Sequence, residues 1–152
     1  MVRLSDEKVI LKPASTLEGQ VYEYAQRAAD SLMRPLEELL DEHELSPTQY
    51  NVLRILRRNG KGLACHEIGE HMITRDPDLT RLLDRLEERH LVSRSREKED
   101  RRVIRAKIST SGQKLLKELD EPVRSLQRRQ LGHLSDRKLK LLAALLDAAR
   151  SS

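Results

Sequence analysis

The chain has 152 residues, enough for one domain with its own core, and 38% of them are hydrophobic without a single Phe or Trp, so that core must be built from Leu, Ile, Val and Ala, as in packed helices. No apolar run approaches the roughly 18–20 residues of a membrane span, the start lacks the apolar segment of a signal peptide and a single cysteine, Cys65, excludes an internal disulfide; a cytoplasmic protein without membrane contact is the expectation. Charge is uneven, with five basic and ten acidic side chains over residues 1–45 against 24 and 15 over 46–152, which points to a polyanion-binding surface on the later part only.

Residues 1–15 read as a loose, polar N-terminal arm. From about 16 to 43, Val21, Ala25, Ala28, Leu32, Leu36 and Leu39 recur at helical spacing. Pro35 lies inside that pattern and predicts a kink or break near 31–35. Ser46-Pro47-Thr48-Gln49 then offers an N-cap serine, a proline at the first helical position and a glutamine three residues after the cap. This second helix should run to about Arg58, bury Val52, Leu53 and Leu56, and stop at a left-handed Asn59-Gly60. A short third helix is expected from about Ala64 to Met72, with Ala64, Ile68 and Met72 inward. Asp76-Pro77 reads as the cap and first position of a fourth helix ending near Arg89. Its Leu79, Leu82, Leu83 and Leu86 form one apolar stripe, and Thr80, Arg81, Asp84 and Arg85 occupy the opposite face. Two helices so closely joined make a helix-turn-helix candidate.

After His90 the period changes to two. Ile104, Ala106 and Ile108 alternate with Val103, Arg105 and Lys107, the mark of a half-buried strand, and Val92 to Arg96 can pair with it. The connection from Glu97 to Arg102 has no Gly or Pro, so it reads as a long, exposed, charged tip. Between Arg94 and Lys107 there are seven basic residues against three acidic ones, an excess as large as that of the whole chain. Thr110-Ser111-Gly112-Gln113 is a further capping box and opens a fifth helix with Leu115, Leu116, Leu119, Val123 and Leu126 as its stripe; Pro122 predicts a second bend. Ser135 caps a sixth helix over 136–149. Its leucines fall on two faces, Leu139/Leu142/Leu146 and Leu141/Leu145 with Ala148, so one face should meet its own domain and the other a second copy of the chain.

This order of elements, with the stretch LTRLLDRLEERHLVSR followed by EDRRVIRAKISTSGQ, resembles the MarR family of winged helix-turn-helix regulators. The likeness includes the T-R-L-x-D-R-L-E helix, the Leu-Val exit, the Asp-x-Arg motif at Asp100-Arg101-Arg102 and the Thr-x-x-Gly turn; SPTQYNVL at 46–53 matches as well. It implies a mainly α fold with a small β-wing: a winged helix-turn-helix flanked by N- and C-terminal dimerisation helices. On that basis one domain is expected over 16–150, with a DNA-binding lobe at about 46–109 and dimerisation helices at about 16–43 and 111–149. The chain departs from the family at His90, where glycine is usual, and at Pro77-Asp78, where small hydroxyl residues are common. His tolerates a left-handed exit at some cost.

The resemblance implies a homodimeric regulator of transcription, in this family most often a repressor, on roughly palindromic double-stranded DNA. Each fourth helix would enter a major groove, with Thr74, Arg75, Pro77, Asp78, Thr80 and Arg81 near bases and Arg85 reaching phosphate. Arg75 and Arg81 carry the bidentate fork that suits guanine. Asp78 is either aimed at a cytosine N4 or tied up as a helix cap; capping needs no DNA. In the wing, Arg96, Lys98, Arg101 and Arg102 supply positive charge for a minor groove, and the family role carried to Asp100 is to pair with an arginine and hold the tip.

Other signals are weaker. A redox-responsive regulator acting through Cys65 is conceivable, since a helix N-terminus lowers a thiol pKa, but the family's redox sensors place their cysteine in the first helix; a small core residue is the reading taken. Tyr22, Tyr24, His43 and Tyr50 could line a cleft for a small aromatic ligand, though tyrosines at helix spacing are commonly core. His66 and His71 are one residue too far apart for a zinc-hydrolase pair, and no convergent catalytic set stands out, so an enzyme, a metal and a cofactor are not expected. The alternative from another class is a winged-helix module that docks proteins.

Overall fold

In a computed structural model, residues 12–14 and 16–151 are described, so most of the expected 1–15 arm lies outside the described residues. The elements are α1 (Leu17–Asp41), α2 (Pro47–Arg58), β1 (Leu63–Ala64), α3 (Cys65–His71), α4 (Leu79–Glu88), β2 (Val92–Arg96), β3 (Ile104–Ile108), α5 (Thr110–Leu131) and α6 (Asp136–Arg150). They make a mainly helical fold with one antiparallel sheet in the order β1-β3-β2. No helix among the described residues is long and apolar enough to cross a membrane.

The chain divides into two units, one ending at Arg34 and one beginning at Pro35. The first is the earlier part of α1. Its expected stripe is open, with Val21 60% exposed, and its charged face carries the i,i+4 pairs Glu23–Arg27 and Asp30–Arg34. Neither proline ends its helix: α1 runs from Leu17 to Asp41 with Pro35 inside it, and α5 from Thr110 to Leu131 with Pro122 inside it. One missing donor in a long helix costs a single hydrogen bond, which the other bonds of the ladder outweigh.

The second unit holds the core. Leu40, Val52, Leu53, Leu56, Ile68, Leu86, Leu116 and Leu119 are all fully buried, each worth about 1.5–3 kcal/mol on leaving water. The α4 stripe is buried as its spacing predicts. So is that of α2, which opens on the expected capping box, with Ser46 Oγ accepting from the Gln49 N–H at 3.1 Å and the Gln49 side chain accepting from the Ser46 N–H at 3.0 Å.

Several local expectations are corrected. Asn59 is extended; the left-handed residue is Gly62, at φ 86°. Leu63 and Ala64 belong to a third strand and pair with Ala106 and Arg105, so α3 begins one residue later than its pattern suggested. A two-residue strand carries no periodicity of its own to read. The cap of α5 is Ser109 rather than Thr110: its Oγ accepts from the Gly112 N–H at 3.0 Å and donates to the His90 carbonyl at 2.6 Å. Ile104, at the open end of β3, is 42% exposed while Ala106 and Ile108 are buried. Finally, α6 buries neither leucine face: Leu141, Leu142, Leu145 and Leu146 are 40–59% exposed in the single chain.

Two helix ends share one construction. At the close of α1, Glu44 is left-handed (φ 55°), its N–H bonds the Asp41 carbonyl and the Leu45 N–H reaches back to Leu40. At the close of α4, His90 is left-handed (φ 58°), its N–H bonds Glu87 and the Leu91 N–H reaches back to Leu86. Both are Schellman closures with a side chain where glycine is usual.

Candidate nucleic-acid interface

Because α4 starts at Leu79, not at Pro77, Thr74, Arg75, Pro77 and Asp78 lie in the loop that enters it. That loop is tied down at two points. Asn51 Oδ1 on α2 accepts from the Ile73 N–H at 3.0 Å, and Asp76 Oδ1 accepts from the Asp78 N–H at 2.8 Å, an Asx-turn. Asp76 is therefore a turn residue rather than the helix cap. The N-cap position falls on Asp78, yet its carboxylate makes no capping bond; it lies 3.3 Å from the Arg81 guanidinium instead. Thr80, Arg81 and Arg85 are exposed on the face opposite the buried leucines.

Further along α4, two acids, Asp84 and Glu87, are neutralised from outside the helix, while Glu88 stays exposed. Arg94 on β2 donates to Asp84 and, from Nε and Nη2 at 3.2 Å each, to Glu87. These bonds from Arg94 hold the Glu87 carboxyl below the usual carboxylate range. Arg105 on β3 plays the same part for the wing base. It donates to Glu97 at 2.8 Å and to Glu67 of α3 at 2.9 Å, while Glu67 also accepts from the Ala64 N–H at 2.7 Å. That backbone bond, ahead of Arg105, lowers the Glu67 pKa. Two of the seven basic residues between Arg94 and Lys107 are thus occupied internally. Arg105 had no role in the sequence pattern beyond its charge, because its partners lie 38 and eight residues away.

At the tip, Arg96, Lys98, Arg101 and Arg102 are all exposed, and none makes an ion pair among the described residues. Arg96 donates to the Arg101 carbonyl at 2.9 Å. The Asp100 carboxylate accepts from the Arg102 backbone N–H at 3.0 Å, so it shapes the tip through the main chain rather than through a guanidinium. The result is four cations presented on a turn whose backbone is held.

The residues expected around a ligand stand differently. Tyr50 is 6% exposed in the core, with the Arg54 guanidinium 5.5 Å from its ring centroid, and burial pushes its pKa up. Tyr22 and Tyr24 are exposed on α1, and His43 is half-buried with its carbonyl bonded by Arg89. Cys65 is half-buried against the core.

The ion pairs carry a pH prediction. Glu67, Glu87 and Asp120, the last bonded twice by Arg57 at 2.9 Å, all have depressed pKa values. Depressed carboxyls lend stability that is fully present above the ordinary value of about 4 and is lost as pH falls through their lower folded values. The difference in urea midpoint between wild type and Arg94→Met should therefore be largest near neutral pH and shrink in acid. A difference that stays constant down to about pH 3 would show that Arg94 acts by packing alone.

The MarR family profile matches residues 45–104, from the connection between α1 and α2 to the first residue of β3. The structure is similar to that of a MarR transcription factor from Planctomyces limnophilus, with a TM-score of 0.69 and 40% identity over 89% of this chain and 98% of that one. Among relatives, the HTH-type transcriptional regulator FarR of Neisseria gonorrhoeae is 30% identical over 97 residues, 64% of this chain and 66% of its own length. The HTH-type transcriptional repressor MdtR of Bacillus subtilis (strain 168) is 26% identical over 129 residues, 85% of this chain and 83% of that protein. An amphipathic helix with its cationic face open, a tied loop before it and the wing as far as the first residue of β3 lie within the matched residues, and the chain belongs to the MarR family of DNA-binding, winged-helix transcriptional regulators.

Proposed function

We propose that the protein acts as a homodimer and binds the two halves of a roughly palindromic operator, repressing the gene that follows. The observation that supports this most is the sorting of charge on the DNA-binding lobe. Asp84 and Glu87 of α4 and Glu67 and Glu97 at the wing base are held by Arg94 and Arg105, while Arg81, Arg85, Arg96, Lys98, Arg101 and Arg102 are presented outward, with Glu88 the exposed acid beside them on α4. On this reading α4 lies in a major groove, with Thr80 and Arg81 at base edges and Arg85 on phosphate. Thr74, Arg75, Pro77 and Asp78 meet the groove edge from the loop. The wing lays Arg101 and Arg102 toward a minor groove, with Arg96 and Lys98 on phosphate and Asp100 keeping the tip in shape.

Dimerisation is supported by the open leucines of α6, and repression by the likeness to the Bacillus relative, a transcriptional repressor. Release by a small aromatic ligand has less behind it, since Tyr50 belongs to the core and Tyr22 and Tyr24 stand open on α1. The test is footprinting on DNA upstream of the protein's own gene, with sedimentation to count chains. A protected palindrome and a two-chain species are expected; no protected site would overturn the reading and favour a protein-docking role. Arg102→Ala should weaken operator binding about tenfold and reduce the slope of log K against log salt by roughly one. Unchanged affinity at two salt concentrations would remove the wing from the interface.

A further inference from the structure

Arg89 immediately follows the last residue of α4, and its guanidinium crosses to the close of α1. It donates to the Glu44 carbonyl and, at 3.2 Å, to the His43 carbonyl. Each helix C-terminus carries a partial negative charge, so two brought to one place oppose each other. The Arg89 guanidinium sets positive charge against the close of α1. Its planar fork also engages two carbonyls at a set angle, where an ammonium would hold a point.

The join is stiff on both sides. Leu45 and Leu91, which follow the left-handed residues, are 3% and 6% exposed, and Leu40 and Leu86, whose carbonyls they bond, are fully buried. Glu44 and His90 are the only non-glycine residues at positive φ among the described residues. Both flank this one contact: Arg89 precedes His90 in the chain and bonds the carbonyl of Glu44. Backbone held in a sparsely populated region at two points of one joint marks a place where position matters more than local ease.

We infer that Arg89 is a positioning residue: by locking the end of α4 to the end of α1 it sets the angle of the recognition helix on its own subunit, and so the separation of the two recognition helices in the dimer. The inference rests on the two-half-site reading above. Arg89 points at carbonyls, not at the groove-facing side chains, so it acts on DNA only through α4. A dimer matched to one half-site separation loses contacts when that separation changes by a base pair; a loosened joint lets each α4 adjust.

The experiment compares binding by fluorescence anisotropy to three kinds of duplex: the operator protected by the wild-type protein, the same operator with one base pair added or removed between its halves, and a single half-site. Wild type should prefer the native spacing by about tenfold or more. Arg89→Lys keeps the charge without the fork and should retain the fold; its spacing preference is expected to fall below about threefold, with half-site affinity within about twofold of wild type. Arg89→Gln should lower the preference further. A wild-type spacing preference in Arg89→Lys overturns the inference. Equal loss on half-site and full operator also overturns it, because Arg89 would then touch DNA or serve only the fold. If wild type itself binds the palindrome no better than the half-site, the two-half-site reading fails, and the inference falls with it.

Discussion

Replacing Gly112 with valine is expected to remove the stable fold. A Cβ at this position would stand 2.3 Å from the Leu91 carbonyl oxygen and 2.8 Å from a side-chain carbon of Ile108. Neither neighbour can retreat. The Leu91 carbonyl accepts from the Ser109 N–H at 3.0 Å, and the Leu91 N–H closes the end of α4 on Leu86. Ile108 is buried in β3 and pairs with Val92. Relief of the clash must therefore move either the start of α5 or the exit of α4, breaking the Ser109 cap or the Schellman closure. Overpacking against fixed backbone, with loss of a cap, places the expected cost at about 4 kcal/mol or more, comparable with the whole stability of a small domain. Gly112→Ala should show the same effect in weaker form. Urea denaturation followed by circular dichroism measures both; a Gly112→Val midpoint equal to wild type would show that the α5 start can shift without cost.

The second large effect is on assembly. Leu142→Glu with Leu145→Glu should give a folded monomer that no longer holds the operator. Both leucines are exposed in the single chain, at 40% and 58%, and neither belongs to its core, so their replacement leaves the core intact. In a dimer each would leave water, at about 1.5–3 kcal/mol per side chain, and a glutamate in its place would enter uncompensated. Four substituted positions across a two-fold interface are enough to shift a dissociation constant by more than about a hundredfold. Binding to the full operator should then fall toward that of one half-site. Sedimentation and anisotropy on one preparation check the two statements separately. A double variant that remains dimeric would move the interface away from α6; a monomer with undiminished operator affinity would end the two-half-site reading.

Much of this molecule is written in local pattern. The α4 stripe of Leu79, Leu82, Leu83 and Leu86 is buried as its spacing requires. The limits of β2 match the segment able to pair with the alternating strand, and the Ser46 cap of α2 follows from four consecutive residues. Where several signals compete locally, pattern and structure differ by a residue or two. Three hydroxyl residues in a row, Ser109 to Ser111, offered more than one cap to α5, and Asp76 made a turn two residues before α4. The leucines of α6 were legible as two apolar faces, but a single chain buries neither.

The order of helices and wing, the faces they bury and the excess of positive charge are properties of contiguous residues, and the amino-acid order alone determined them. The pairings were decided by the tertiary structure. Leu63 and Ala64 become a strand only because Ala106 and Arg105 lie beside them. Arg94 and Arg105 count as wing charges in the sequence, yet they answer carboxylates on α4, α3 and the wing base. Arg89 closes a helix 45 residues earlier in the chain. The reason is range: periodicity and capping act within one or two turns of backbone, whereas an ion pair or a strand ladder needs groups within about 3–4 Å of one another, and only packing brings distant segments that close.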